Sequence, residues 1–140
     1  MQEILFESDA VLVKYESESK IFEYEWQPRL TELSDEEYRG AMLEVMRHVQ
    51  ALQPRLVVAN TKHSSFAIRV DLQKWVAENV IGPAVRLGMK KLALVVSSDL
   101  VIQLSVEQSL DETAEKTFET KYFDEVAAAY QWLAGFVGKY

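Results

Sequence analysis

Cysteine is absent from this chain of 140 residues. A thiol nucleophile, a disulfide framework and a thiolate metal site are thereby excluded. Glycine and proline are scarce, with 5 and 3 residues. The glycines never fall into G-x-G-x-x-G or G-x-x-x-x-G-K, so the phosphate loops of dinucleotide and nucleotide binders are missing. No serine carries the flanking glycines of a G-x-S-x-G nucleophile elbow. Histidine occurs only at His48 and His63. Glu44 and His48 have helical ligand spacing, but a metal needs further ligands that the chain does not group with them. A charged pair flanking an apolar stripe accounts for them better. No metal and no other cofactor is expected.

Positive charge is also in short supply. Against 22 acidic residues stand 15 basic ones, for a net charge of −7. The basic residues are scattered and form no stripe that would neutralise a phosphate backbone, so nucleic acid is not an expected partner. The opening Met1-Gln-Glu-Ile-Leu-Phe-Glu7 has acid where a signal peptide needs base. No apolar run approaches the length of a membrane span. A cytoplasmic protein is the expectation. With 49% hydrophobic and 26% charged residues, composition is that of an ordinary globular chain. A single domain over residues 1–140 is expected.

The first third reads as an antiparallel meander. Val11, Val13 and Tyr15 alternate with Leu12 and Lys14, and the polar run Glu16 to Lys20 makes a turn. Phe22, Tyr24 and Trp26 then share one face while Glu23 and Glu25 take the other, the period expected of a half-buried strand. Ile4 to Phe6 adds a short edge strand, and Pro28 marks the exit from the sheet.

Ser34-Asp-Glu-Glu37 is a capping box. The helix behind it places Tyr38, Ala41, Met42, Val45, Met46, Val49 and Leu52 on one stripe, and Pro54 closes it. Residues 55–60 form a buried strand. A loop leads to a helix opening near Asp71, with Leu72, Trp75, Val76, Asn79 and Val80 inward. Gly82-Pro83 kinks or restarts it, and Gly88 suits its C-cap. Lys91 to Val96 is the next buried strand, and Ser97-Ser-Asp99 caps a helix running to Leu110. Phe118 to Tyr122 makes a last strand. Asp124 caps a final helix that buries Val126, Ala127, Tyr130, Leu133 and Val137. The fold class is therefore α/β, a mixed sheet with an N-terminal antiparallel meander followed by α-β repeats, helices packed on the sheet.

Function, if any is encoded, belongs where buried strands run off into small polar residues, since ligands dock at the carboxyl ends of strands in such sheets. Asn60-Thr-Lys-His-Ser-Ser65 is one such end, and Ser97-Ser98 after Lys91–Val96 is its echo. Lys62 and His63 supply charge for an anion or polar ligand, and Asn60 supplies orientation. The same composition suits a solvated loop whose side chains satisfy their own backbone better still, since loops of this make-up are common. Ser64 and Ser65 are phosphorylation candidates beside a helix entry, where a phosphate would add charge and strong acceptors. Trp75 sits on an apolar stripe, where core packing competes with ligand stacking.

The segments Gln73-Lys-Trp75, Ile81-Gly-Pro-Ala-Val-Arg-Leu-Gly-Met-Lys-Lys-Leu-Ala-Leu-Val-Val96 and Tyr122-Phe-Asp-Glu-Val-Ala-Ala-Ala-Tyr-Gln-Trp-Leu133 resemble the small bacterial SpoIIAA-like, or STAS/SEC14-like, proteins. The resemblance implies a mixed sheet covered by helices, and binding rather than catalysis. Antagonists of anti-sigma factors in the wider STAS group carry a phosphorylatable serine after a central strand. The corresponding strand end here reads Asn60-Thr61, with Ser64 and Ser65 further on and no aspartate beside them.

The leading expectation is a non-enzymatic STAS-like binding or regulatory module. It would engage a protein partner or small ligand through the 60–71 loop and the 97–99 turn. The alternative is a carrier or sensor of a small apolar or lipid ligand, as SEC14-like relatives imply, walled by Trp75, Phe66 and the N-terminal aromatics. An enzyme comes third. Edge strands in the meander leave room for a homodimer.

Overall fold

A computed structural model describes residues 2–27, 34–61, 75–96 and 118–137. Six strands make one mixed sheet in sequence order, β1 (Gln2–Glu7), β2 (Val11–Glu16), β3 (Ile21–Trp26), β4 (Leu56–Asn60), β5 (Lys91–Val95) and β6 (Glu119–Phe123). The first two pairings are antiparallel and the remaining three are parallel. Hairpins join the meander, and each later strand returns by a crossover, as parallel pairing requires. The α/β class and the meander-then-repeat order follow the sequence expectation.

Helix α1 (Asp35–Leu52) starts at the capping box. The Ser34 hydroxyl accepts from the Glu37 amide at 3.1 Å, and Glu37 Oε1 accepts from the Ser34 amide at 3.2 Å. Met42, Val45, Met46 and Val49 are buried against the face bearing Phe22, Tyr24 and Trp26. Leu52, expected on that stripe, is 40% exposed, because α1 ends there and Gln53 turns into the left-handed region with φ 49°.

The next helical segment, already helical at Trp75 and Val76, passes through a π-helical turn, Ala77–Ile81, and continues as α2, Gly82–Arg86. Pro83 supplies the reason. Its ring would collide with the carbonyl four residues earlier, and it has no amide to offer that carbonyl. The wider turn relieves the collision, and the Gly82 amide reaches back to the Ala77 carbonyl. The extra residue rotates the helical phase. Asn79, expected inward, is consequently exposed, and its side-chain amide donates to the Trp75 carbonyl at 3.0 Å. Val80 remains buried. Gly88 ends the segment with φ +118°, a conformation glycine adopts without strain.

Helix α3 (Val126–Val137) covers the opposite face, where Ala129 and Leu133 pack on Ile21, Leu56, Val58, Ala93 and Val95. Burying a leucine such as Leu133 contributes about 1.5–3 kcal/mol. Ala127, expected inside, is exposed, and Ala129 takes the inward position instead. The final strand lies one residue later than expected, at Glu119–Phe123.

At the free edge, β1 is longer than the expected Ile4–Phe6 and carries a register irregularity between Ile4 and Phe6. Such a bulge lets Leu5 and Phe6 both pack toward the α1 core, while Ile4 stays 64% exposed. A bulged edge flanked by Glu3 and Glu7 works against pairing with a second copy through β1. Among the described residues, no helix is long and apolar enough to cross a membrane.

Candidate functional site

Parallel register brings the expected strand ends together. Asn60 closes β4 directly beside Val95 at the end of β5. Beyond them the Thr61 amide and hydroxyl both donate to the Val95 carbonyl, each at 2.9 Å. The Val96 amide continues the row to the Phe123 carbonyl at 2.8 Å. The polar segments after β4 and β5 thus leave the sheet from neighbouring points on one edge. Lys62, His63, Ser64, Ser65, Phe66, Ser97 and Ser98 lie outside the described residues, as do Pro28, the helix start near Asp71 and Leu72, and the helix expected from Ser97 to Leu110. The side chain of Val137 is likewise outside them.

Asn60 itself is turned inward, only 5% exposed, on the α3 face of the sheet. Its side-chain amide donates to Glu23 Oε2 at 3.2 Å. Glu23 is the other buried polar residue, at 2% exposure. The sequence expectation of a half-buried strand with Glu23 on its polar face is corrected here. Strand β3 lies between β2 and β4, and helix α3 sends Tyr130 across to it.

Three elements supply donors to this carboxylate. The Tyr130 hydroxyl donates to Oε1 at 2.6 Å, Asn60 donates to Oε2, and the Lys14 ammonium stands 3.7 Å from Oε2. Lys14 is the residue opposite Glu23 across the β2–β3 pair, and it also donates to Glu25 Oε1 at 3.3 Å. A carboxylate taken out of water this far persists only when its oxygens are filled in this way. Burial, then the hydrogen bond and negative charge of Glu23, push the Tyr130 phenol well above the usual tyrosine range, against an opposing hydrogen bond from Gln2. Burial likewise raises Tyr24.

Trp75 is partly buried against the α1 core, and the Arg39 guanidinium lies over its ring, 5.8 Å from the centroid. Trp26 stacks on Tyr38 at 5.0 Å, and Phe22 is fully buried. Of the aromatic walls named for an apolar ligand, Trp75, Trp26 and Phe22 are therefore packed on the protein's own side chains, while Phe66 lies outside the described residues. Glu44 accepts from Arg47 at 3.1 Å and stands 3.9 Å from His48 Nε2, which is buried without a hydrogen-bond partner. Among the described residues, no group of three or more histidine, cysteine or acidic side chains is placed to hold a metal ion.

Sequence reasoning identified the strand ends but missed Glu23 and Tyr130. A usable signal existed in the alternation of β3, which placed Glu23 on the same face as Ile21, a residue that proves fully buried. No family model, no curated protein and no solved structure matches the chain.

Proposed function

We propose that this chain is a non-catalytic binding module of the STAS-like kind, engaging a protein partner or small ligand at the edge where β4 and β5 end. The observation that carries the reading is the register of the two strands, with Asn60 beside Val95 and Thr61 bonded twice to the Val95 carbonyl. Adjacent strand ends would bring the 60–71 loop and the 97–99 turn out from the same end of the sheet, the position where α/β sheets bind ligands. Lys62, His63, Ser64, Ser65, Ser97 and Ser98 would supply the polar contacts, with Ser64 and Ser65 open to phosphorylation.

Glu23 favours binding over acid–base chemistry. Its oxygens are already engaged by Tyr130, Asn60 and Lys14, so it is not poised to take a proton from a substrate. The packed surroundings of Trp26 and Trp75 give the apolar-carrier alternative less support.

The test is native mass spectrometry of the purified protein together with affinity capture, comparing wild type with a Lys62→Ala, His63→Ala, Ser98→Ala variant. A ligand or protein retained by wild type and lost by the folded variant supports the reading. Equal retention by both overturns it, because the binding surface would then lie elsewhere.

A further inference from the structure

We propose that Glu23 couples the carboxyl end of β4 to helix α3, so that engagement of the strand-end surface and the seating of the C-terminal helix are linked through one buried carboxylate. The proposal rests on the binding reading for what engages that surface. The coupling itself is a property of the free protein.

The chain of contacts is short and continuous. Thr61 is fixed by its amide and its hydroxyl to the Val95 carbonyl. Asn60, its neighbour, is the last residue of β4 and donates to Glu23 Oε2 at 3.2 Å. The other oxygen of the same planar group accepts from Tyr130 on α3 at 2.6 Å. Oε1 and Oε2 cannot move independently. A pull on the segment after β4 that displaces Asn60 must tilt the carboxylate and degrade the Tyr130 bond, or leave the Asn60 amide without that acceptor.

Both costs are raised by burial, since Glu23 is 2% and Asn60 5% exposed. Lys14 opposes a large swing of the carboxylate by standing 3.7 Å from Oε2 and bonding to Glu25. The partner left to respond is α3, tied to the carboxylate through Tyr130, and its local opening is the event the coupling would bias. Anything that stabilises Asn60 in place would seat α3, and unseating α3 would loosen the strand end by the same factor.

Amide hydrogen exchange on the full chain without ligand tests the coupling, with Tyr130→Phe and Leu133→Ala compared against wild type. Tyr130→Phe is expected to speed exchange at Thr61 and Val96 by about threefold to tenfold beyond the global stability change, the equivalent of one lost net hydrogen bond. It should also shift the Asn60 side-chain amide resonances, while Val45 to Val49 on the opposite face follow the global change alone. Leu133→Ala removes packing but leaves the phenol in place. It should speed exchange within α3 and, through the intact Tyr130 bond, at Thr61, whereas added to Tyr130→Phe it should speed exchange within α3 with no further change at Thr61. Unchanged exchange at Thr61 and unshifted Asn60 resonances in Tyr130→Phe would overturn the proposal. So would an equal effect of Leu133→Ala on Thr61 with and without the Tyr130 phenol, because ordinary packing would then carry the effect. Neither outcome touches the capture experiment, so the coupling and the binding surface stand or fall separately.

Discussion

Tyr130 and Glu23 lie 107 residues apart in sequence and 2.6 Å apart in space, phenol to carboxylate. The bond crosses from the C-terminal helix to a central strand and lands on a side chain that is 2% exposed. It fixes the rotational setting of α3 on the sheet more sharply than Ala129 and Leu133 do, because apolar contacts tolerate small slides and a short hydrogen bond does not. The same carboxylate holds the end of β4 through Asn60.

Removing the phenolic hydroxyl with Tyr130→Phe is expected to cost about 1–3 kcal/mol, the penalty for leaving a buried acceptor short of a donor. Glu23→Ala should cost more, because it removes the acceptor shared by Tyr130 and Asn60 and opens a cavity. Denaturant unfolding of the pair would check the order. A Glu23→Ala protein no less stable than Tyr130→Phe would show that the carboxylate is not the centre of the cluster.

Much of the local structure was legible in the sequence because its causes are local. The Ser34–Glu37 box depends on residues one turn apart, and the alternation of Phe22, Tyr24 and Trp26 depends on the pleat alone. The burial of Glu23 was not legible, since it depends on Asn60 and Tyr130 arriving from distant elements. Asn79 shows a different obstacle. A constant helical period fails inside a widened turn, and Asn79 lies within the one that precedes Pro83. The strand ends were legible as polar punctuation, but their adjacency required the register of β4 on β5.

Breaking the capping box by Ser34→Ala should lower stability by about 1 kcal/mol. The change removes the acceptor for the Glu37 amide and leaves only the other half of the box, the bond from the residue-34 backbone amide to the Glu37 side chain. Ser34→Asp keeps an acceptor in place and should lose far less. Thermal melts of the two variants would separate loss of the cap from a general intolerance at this exposed position.

Two glycines should respond with opposite signs. Gly40 lies inside α1 with open space around its Cα, so Gly40→Ala is expected to stabilise by about 1 kcal/mol through helix propensity. Gly88 has equally open space but a φ of +118°, so Gly88→Ala is expected to destabilise by about 1–3 kcal/mol through backbone strain. Chemical denaturation of both variants checks the pair. A neutral Gly88→Ala would mean that the turn after α2 relaxes to another conformation.

Alkaline pH gives the last expectation, and its sign follows from the buried phenols. Tyr130 is held above the ordinary range by burial and by its bond to Glu23, and Tyr24 by burial. Above the unfolded pKa of about 10 the unfolded chain releases these protons while the folded chain keeps them. Stability contributed by the neutral phenols is therefore fully present below about pH 10 and declines as pH rises past it. Tyr130→Phe removes one of the two groups, so its stability should be lower near neutrality but fall less steeply above about pH 10. Urea midpoints measured from about pH 8 to about pH 11 would read the slopes. Parallel slopes for wild type and variant would mean that Tyr130 ionises in the folded protein as readily as in the unfolded chain, and that the bond to Glu23 does not hold its proton.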